Sequence, residues 1–249
     1  MREPLVFIPG MMCDARLFQA QNIEISRQRP VMVSPITSGA RIEEITSNIL
    51  PHLPPRFALA GWSMGGIVAM DILRRIPDRV TRIALMDTTP LAETPSDAAA
   101  FEPRIIGAMA GRLEHVIDEF MQSDFLAPGP HRTSVFSLMR DMGLKLGPEV
   151  FVNQARALQR RGDQQKTLRK CRVPALVLCG EHDLITPVKR HIFMAGLIPD
   201  ATLKIVRGAG HLPSLEKPDD TTAALLDWLS AEGSARPLGP DHDYRWANQ

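Results

Sequence analysis

Phe57-Ala58-Leu59-Ala60-Gly61-Trp62-Ser63-Met64-Gly65-Gly66-Ile67-Val68-Ala69-Met70 is the stretch that decides the fold. Phe57–Gly61 is a short, continuously apolar run, the pattern of a strand covered on both faces. Met64–Arg75 reads as a buried helix that ends just before Pro77. Between them Gly61-Trp62-Ser63-Met64-Gly65 fits G-x-S-x-G, with the serine in the turn. A sharp strand-to-helix turn strains the serine backbone and brings strand and helix so close that glycine is needed two positions to either side. The helix also points its unpaired N–H groups and positive dipole end toward Ser63, which favours an anion forming there. A glycine-rich helix N-cap with no chemistry would use the same residues.

Working outward, further short apolar runs lie at Leu5–Pro9, Val31–Ser34, Val80–Asp87, Ala175–Gly180 and Leu203–Val206. Helical patterns at Ile42–Leu50, Val188–Leu197 and Pro218–Leu229 alternate with them. This alternation predicts an α/β fold with a mostly parallel central sheet flanked by helices. Residues 90–168 break it, reading as four helices over Asp97–Ala110, Leu113–Ser123, Thr133–Leu146 and Glu149–Arg161. A helical insertion in such a core is expected to be a lid over the site, against the plainer reading of an added stabilising layer. The expected division is therefore a core from 1–89 and 169–230, a lid from 90–168, and a loosely held polar tail from 231–249.

With 249 residues, 44% of them hydrophobic and 23% charged, the chain has the composition of a globular protein with a full core. A formal net charge of +1 gives no field that would select nucleic acid or an anionic membrane, so the expected partner is a small-molecule substrate. Oligomeric state is not legible. Cys13, Cys171 and Cys179 are odd in number and show no CxxC spacing, which suggests unpaired thiols. Leu5–Ile8 is too short for a secretory h-region and no apolar run approaches a membrane span, so the expected location is the cytoplasm.

Arg207-Gly208-Ala209-Gly210-His211 follows the last strand, and its glycines free the backbone to project the His211 ring. Histidine titrates close to neutrality and can take a proton and return it. His52, His115, His131, His191 and His242 lie on expected helices, loops or the tail, where a solvated ring is the ordinary outcome. Asp183, in Gly180-Glu181-His182-Asp183, follows the preceding strand and could orient the imidazole, with Glu181 and Asp87 as competitors. Ser63, Asp183 and His211 each follow a separate strand, and groups beyond the carboxyl ends of parallel strands converge on one crevice. Pro9-Gly10-Met11-Met12 follows the first strand, so the backbone N–H groups of Met11 and Met64 are the expected oxyanion donors. No HExxH, P-loop or dinucleotide glycine pattern occurs in a fitting context, so no metal or organic cofactor is expected.

Taken together, Gly61–Gly66, Gly180–Asp183, Gly208–His211 and the Pro9-Gly10 loop resemble the α/β-hydrolase superfamily from about Leu5 to Leu229. The Gly-Trp-Ser-Met-Gly-Gly elbow is similar to that of small carboxylesterases, enol-lactonases and cofactor-free haloperoxidases. Two departures stand out: Pro9 occupies the position where most relatives carry histidine, and the antiparallel hairpin that opens the family sheet is expected to be missing. Serine at the elbow argues against the aspartate chemistry of haloalkane dehalogenases and epoxide hydrolases. The resemblance implies hydrolysis of a carboxylic ester, lactone or thioester of a small, largely apolar substrate through an acyl-enzyme on Ser63. The alternatives are a lyase, haloperoxidase or carbon–carbon bond hydrolase using the same residues, or a non-catalytic small-molecule receptor. The 90–168 segment carries nine Lys or Arg and ten Asp or Glu, so its charge selects no substrate.

Overall fold

A computed structural model describes residues 2–231; the tail expected over 231–249 lies, after its first residue, outside the described residues. Six strands form one wholly parallel sheet in the order β2-β1-β3-β4-β5-β6. They are β1 (Leu5–Ile8), β2 (Val31–Val33), β3 (Phe57–Trp62), β4 (Val80–Met86), β5 (Ala175–Gly180) and β6 (Ala201–Val206). Every residue of β1, β3 and β5 is buried, as their unbroken apolar runs require, whereas the edge strand β6 alternates. Among the described residues no antiparallel strand precedes β1.

The helices are α1 (Gln19–Ser26), α2 (Ile42–Ile49), α3 (Met64–Arg75), α4 (Pro95–Ala100), α5 (Glu102–Met109), α6 (Leu113–Phe120), α7 (Arg132–Gln159), α8 (Gln165–Arg169), α9 (Val188–Leu197), α10 (Pro213–Glu216) and α11 (Pro218–Ser230). One cover of the sheet pairs α1 with α11; the other runs α2, α3, α8, α9. Helix α1 is absent from the sequence reading because a polar residue occupies a core position. Gln21 is fully buried there, its amide donating to Ser214 O, Pro218 O and Thr222 Oγ1. Helices α8 and α10 are too short to show a period.

Between β4 and β5, residues 90–168 are helical, as expected, with one boundary different. The first expected helix is divided at Phe101 into α4 and α5, because Pro103 has no N–H with which to continue the ladder. The two later helices meet end to end as α7, kinked where Gly147 takes φ +86° ahead of Pro148. The apolar residues of this segment mostly pack on one another: Phe101, Met121, Met139, Met142 and Phe151 are buried, and Phe120 meets Phe151 edge-on at 5.8 Å. No helix among the described residues is long and apolar enough to cross a membrane. Cys13, Cys171 and Cys179 are buried and unpaired.

The order of strands reverses between β1 and β3. In an open parallel sheet the crevice at such a switch point is where ligands bind. The loops leaving β1 and β3 are the ones that carry Gly10–Met12 and Ser63.

Candidate active site

Ser63 sits at the end of β3 with φ 52° and ψ −119°, a backbone state that a residue with a side chain adopts only under constraint. The constraints are visible. Ser63 N–H donates to Met86 O at 2.9 Å, and Thr88 Oγ1 donates to Ser63 O at 2.7 Å. A Cβ on Gly61 would lie 2.3 Å from Gly65 O, and one on Gly65 would lie 2.1 Å from Ile8 O. The turn is therefore closed against its own helix and against β1, which is the physical content of the two flanking glycines. Three non-glycine residues among those described have positive φ: Met12, Ser63 and Asp87. They leave β1, β3 and β4, three neighbouring strands, and so ring a single crevice.

The structure brings Ser63, His211 and Asp183 into one hydrogen-bonded chain. His211 Nε2 lies 3.1 Å from Ser63 Oγ, and His211 Nδ1 lies 2.9 Å from Asp183 Oδ2. Asp183 also accepts from the N–H groups of Ile185 and Thr186 through Oδ1, and from Thr186 Oγ1 at 2.6 Å through Oδ2. Burial by itself would raise this carboxyl, but the facing His211 ring and the hydrogen bonds from His211 and Thr186 hold it below the ordinary carboxylate range. The result is a buried anion hydrogen-bonded to one ring nitrogen, which keeps the other nitrogen turned to the hydroxyl.

The competitors for the acid are separated by environment. Glu181 is exposed and accepts from Gly208 N–H at 3.0 Å, away from the ring. Asp87 is fully buried, and one of its oxygens lies within 4.8 Å of an Asp183 oxygen and a His211 nitrogen. Oδ1 accepts from Gly180 N–H at 2.9 Å, while Oδ2 has no partner. Burial and then the Asp183 charge push the Asp87 carboxyl well up, which disfavours its charged form and makes it a poor anion for a histidine. Asp87, Asp183 and His211 are close enough to share a cation, yet both Asp183 oxygens and His211 Nδ1 are already engaged. An ion there would have to break those bonds.

The backbone that presents His211 departs from the sequence reading in one respect. Gly208 takes φ 63°, as a freely turning glycine would. Gly210 does not; a Cβ there would lie 2.4 Å from Phe125 O, so it is glycine to admit the 125–127 segment. Phe125 O accepts the His211 N–H at 2.8 Å. Glu216, not singled out from sequence, accepts from Gly210 and Ala127 through Oε2 and from Leu212 through Oε1. Trp62 Nε1 donates to His211 O at 2.9 Å, and the two rings lie 4.9 Å apart. No capping-box pattern points to Glu216, because the N-cap is Leu212 and the glutamate follows it by four residues, not three.

Of the other histidines within the described residues, His52, His115 and His131 are exposed, as expected. His242 lies outside the described residues. His191 contradicts its reading as a solvated ring. It is fully buried, Nε2 accepting from Thr88 N–H at 3.1 Å, and burial pushes it down to about 4. It packs inward because α9 turns that face to the sheet.

Met11 and Met64 bring their backbone N–H groups to the loops on either side of the switch point. Neither N–H has a hydrogen-bond partner among the described residues, although both side chains are buried. Unpaired donors beside a strained serine are the arrangement that an oxyanion requires. The Met12 N–H is unavailable, being donated to Gln154 Oε1.

A family model described as "Alpha/beta hydrolase family" matches residues 32–225. The chain is 29% identical over 210 residues to a pimeloyl-[acyl-carrier protein] methyl ester esterase of Aromatoleum aromaticum, covering 76% of this chain and 80% of that one. It is 25% identical to the esterase of the same name from Chromobacterium violaceum, covering 80% of each. Among solved structures, a thermophilic esterase from Thermogutta terrifontis superposes with a TM-score of 0.84 at 25% identity, over 91% of this chain and 89% of that one. The enol-lactonase from Burkholderia xenovorans superposes with a TM-score of 0.83 at 22% identity, over 93% and 92%, and shares the fold. This chain belongs to the alpha/beta hydrolase family.

Proposed function

We propose that the protein is a serine hydrolase that cleaves a carboxylic ester, lactone or thioester of a small substrate through an acyl-enzyme on Ser63. The observation that carries this reading is the chain Ser63 Oγ–His211 Nε2, His211 Nδ1–Asp183 Oδ2, at 3.1 and 2.9 Å, centred on a strained elbow. As His211 takes the Ser63 proton, Oγ attacks the acyl carbon and the carbonyl oxygen gains negative charge. The N–H groups of Met11 and Met64 receive that charge, helped by the N-terminal end of α3. The imidazolium that forms is stabilised by the buried Asp183 carboxylate and then protonates the leaving group. Water attacks the acyl carbon as His211 takes its proton, the same donors hold the second oxyanion, and the Ser63 Oγ–acyl bond then breaks as His211 returns that proton to Oγ, releasing the acid.

The esterase names of the two similar proteins support an ester as the class of substrate. Met11, Met12, Met64 and Trp62 are buried residues on the chain segments next to Ser63, and this apolar surrounding supports a small, largely apolar acyl group. In this reading residues 90–168 form the lid, residues 1–89 and 169–230 the catalytic core, and no nucleic acid or membrane takes part. Three buried, unpaired thiols support a reducing compartment, the cytoplasm. Turnover of p-nitrophenyl esters of increasing chain length, beside lactones and acyl-thioesters, tests the assignment. Activity on one of these that is lost in Ser63→Ala sustains it; a wild type inert toward all three classes overturns it.

A further inference from the structure

Met12 is the point at which the oxyanion loop is out of keeping with its own sequence. Gly10 O accepts from Cys13 N–H at 3.2 Å, closing a four-residue turn with Met11 and Met12 at its centre. Met12 holds φ 55° at the third position, a state that such turns ordinarily reserve for glycine or asparagine. Its side chain is fully buried, so glycine could not replace it without leaving a cavity. Left to itself, a turn with methionine there relaxes by flipping its central peptide, Met11–Met12. That peptide is next to the Gly10–Met11 peptide, whose N–H has no hydrogen-bond partner among the described residues.

What prevents the flip comes from the helical segment. Gln154, on the second half of α7, is fully buried. Its Oε1 accepts the Met12 N–H at 2.8 Å, and its Nε2 donates to Ile36 O at 2.9 Å. Ile36 lies just after β2, so one side chain ties the loops leaving β1 and β2 to residue 154. A second link runs beside it: Arg16, paired with Asp14, reaches Asp141 on the first half of α7. Neither helix nor loop needs a glutamine for packing at this point, since an apolar side chain of the same length would fill the volume. It would leave two backbone groups unsatisfied in a dry interior.

We propose that Gln154 is a positioning residue for the oxyanion donor: by accepting the Met12 N–H and donating to Ile36 O, it locks the Gly10–Cys13 turn in the conformation that leaves the Met11 N–H for the substrate. The helical segment proposed above as the lid thus forms part of the catalytic framework. This rests on the hydrolase reading above.

The test compares wild type with Gln154→Met, which keeps length and loses both hydrogen bonds, and Gln154→Asn, which withdraws the amide by one methylene. On an ester that the wild type turns over, kcat is expected to fall about 10–100-fold in Gln154→Met, with KM held within about threefold, since an oxyanion donor acts in the transition state alone. Gln154→Asn should fall by about tenfold in the same parameter. A tetrahedral-adduct inhibitor such as a trifluoromethyl ketone should lose affinity by the same factor as kcat, which a loss of packing would not cause. In the wild type the Met12 amide should exchange hydrogen as slowly as core amides, a measurement that needs no variant to fold. Folded Gln154→Met with wild-type kcat, or a Met12 amide exchanging like an open loop, overturns the proposal. A wild type inert to esters, lactones and acyl-thioesters alike overturns the hydrolase reading instead, so the two failures are distinct.

Discussion

The loops at the carboxyl ends of the strands and the helical segment 90–168 were written into the chain by different means. Each strand-end loop carries its instruction locally: a glycine pair beside Ser63, a Gly-x-Gly before His211, a carboxylate after a strand. The helical segment carries amphipathic periodicity that says "helix" and nothing about what the helices hold. Yet the two regions meet through backbone, at Phe125 O with His211 N–H, at Ala127 N–H with Glu216, and at Met12 N–H with Gln154. Site chemistry was declared by short motifs, and site rigidity is supplied by residues with no motif at all.

The sharpest way to break that contrast is to exchange roles among the strand-end carboxylates. Asp183→Asn should lower kcat by up to ~10⁴-fold, because an amide cannot hold the required tautomer or offset the imidazolium. Asp87→Asn should change kcat by less than about tenfold, since His211 Nδ1 is held by Asp183, and burial with the Asp183 charge already disfavours the charged form of the carboxyl that is replaced. The reverse pattern in steady-state kinetics would move the acid to Asp87.

A second prediction sets the two buried histidines apart. His191 has a folded pKa of about 4 against an ordinary value of 6.5, lowered by burial, and only its neutral ring accepts the Thr88 N–H. A histidine depressed on folding contributes stability that is fully present above the unfolded pKa and lost as the pH falls through the folded one. Between pH 7 and pH 4 this amounts to about 3 kcal/mol. Urea unfolding at the two pH values should show that loss in wild type and much less of it in His191→Gln, where the side chain accepts without titrating. Equal slopes in the two proteins would refute the assignment.

Glu216 sharpens the comparison from the seam itself. Glu216→Ala strips acceptors from the N–H groups of Gly210, Leu212 and Ala127. The expected result is a stability loss of about 2–3 kcal/mol by unfolding, with kcat lowered by about tenfold as the His211 loop loosens. Lost stability with unchanged kcat would make the clamp structural only.

Much of this molecule was legible because its strands are buried on both faces. A covered parallel strand must be continuously apolar, so β1, β3 and β5 announced themselves, and the loops after them followed. Residues that act through backbone groups were silent. Gln21, Gln154 and Glu216 are polar residues in core or near-core positions, and periodicity counts them as interruptions. His191 failed for a related reason: on a helix pattern, a histidine that accepts from a backbone N–H looks like one that faces water. Gly210 was recognised as necessary but for the wrong cause, since the peptide it makes room for is far away in sequence.

The central claim is that Ser63 Oγ is an activated nucleophile with His211 as its base. Incubating the protein with a fluorophosphonate and measuring intact mass and the modified peptide tests it directly. One adduct, on Ser63, absent in Ser63→Ala and formed far more slowly in His211→Ala, is the result predicted. Wild type that reacts no faster than Ser63→Ala would contradict it.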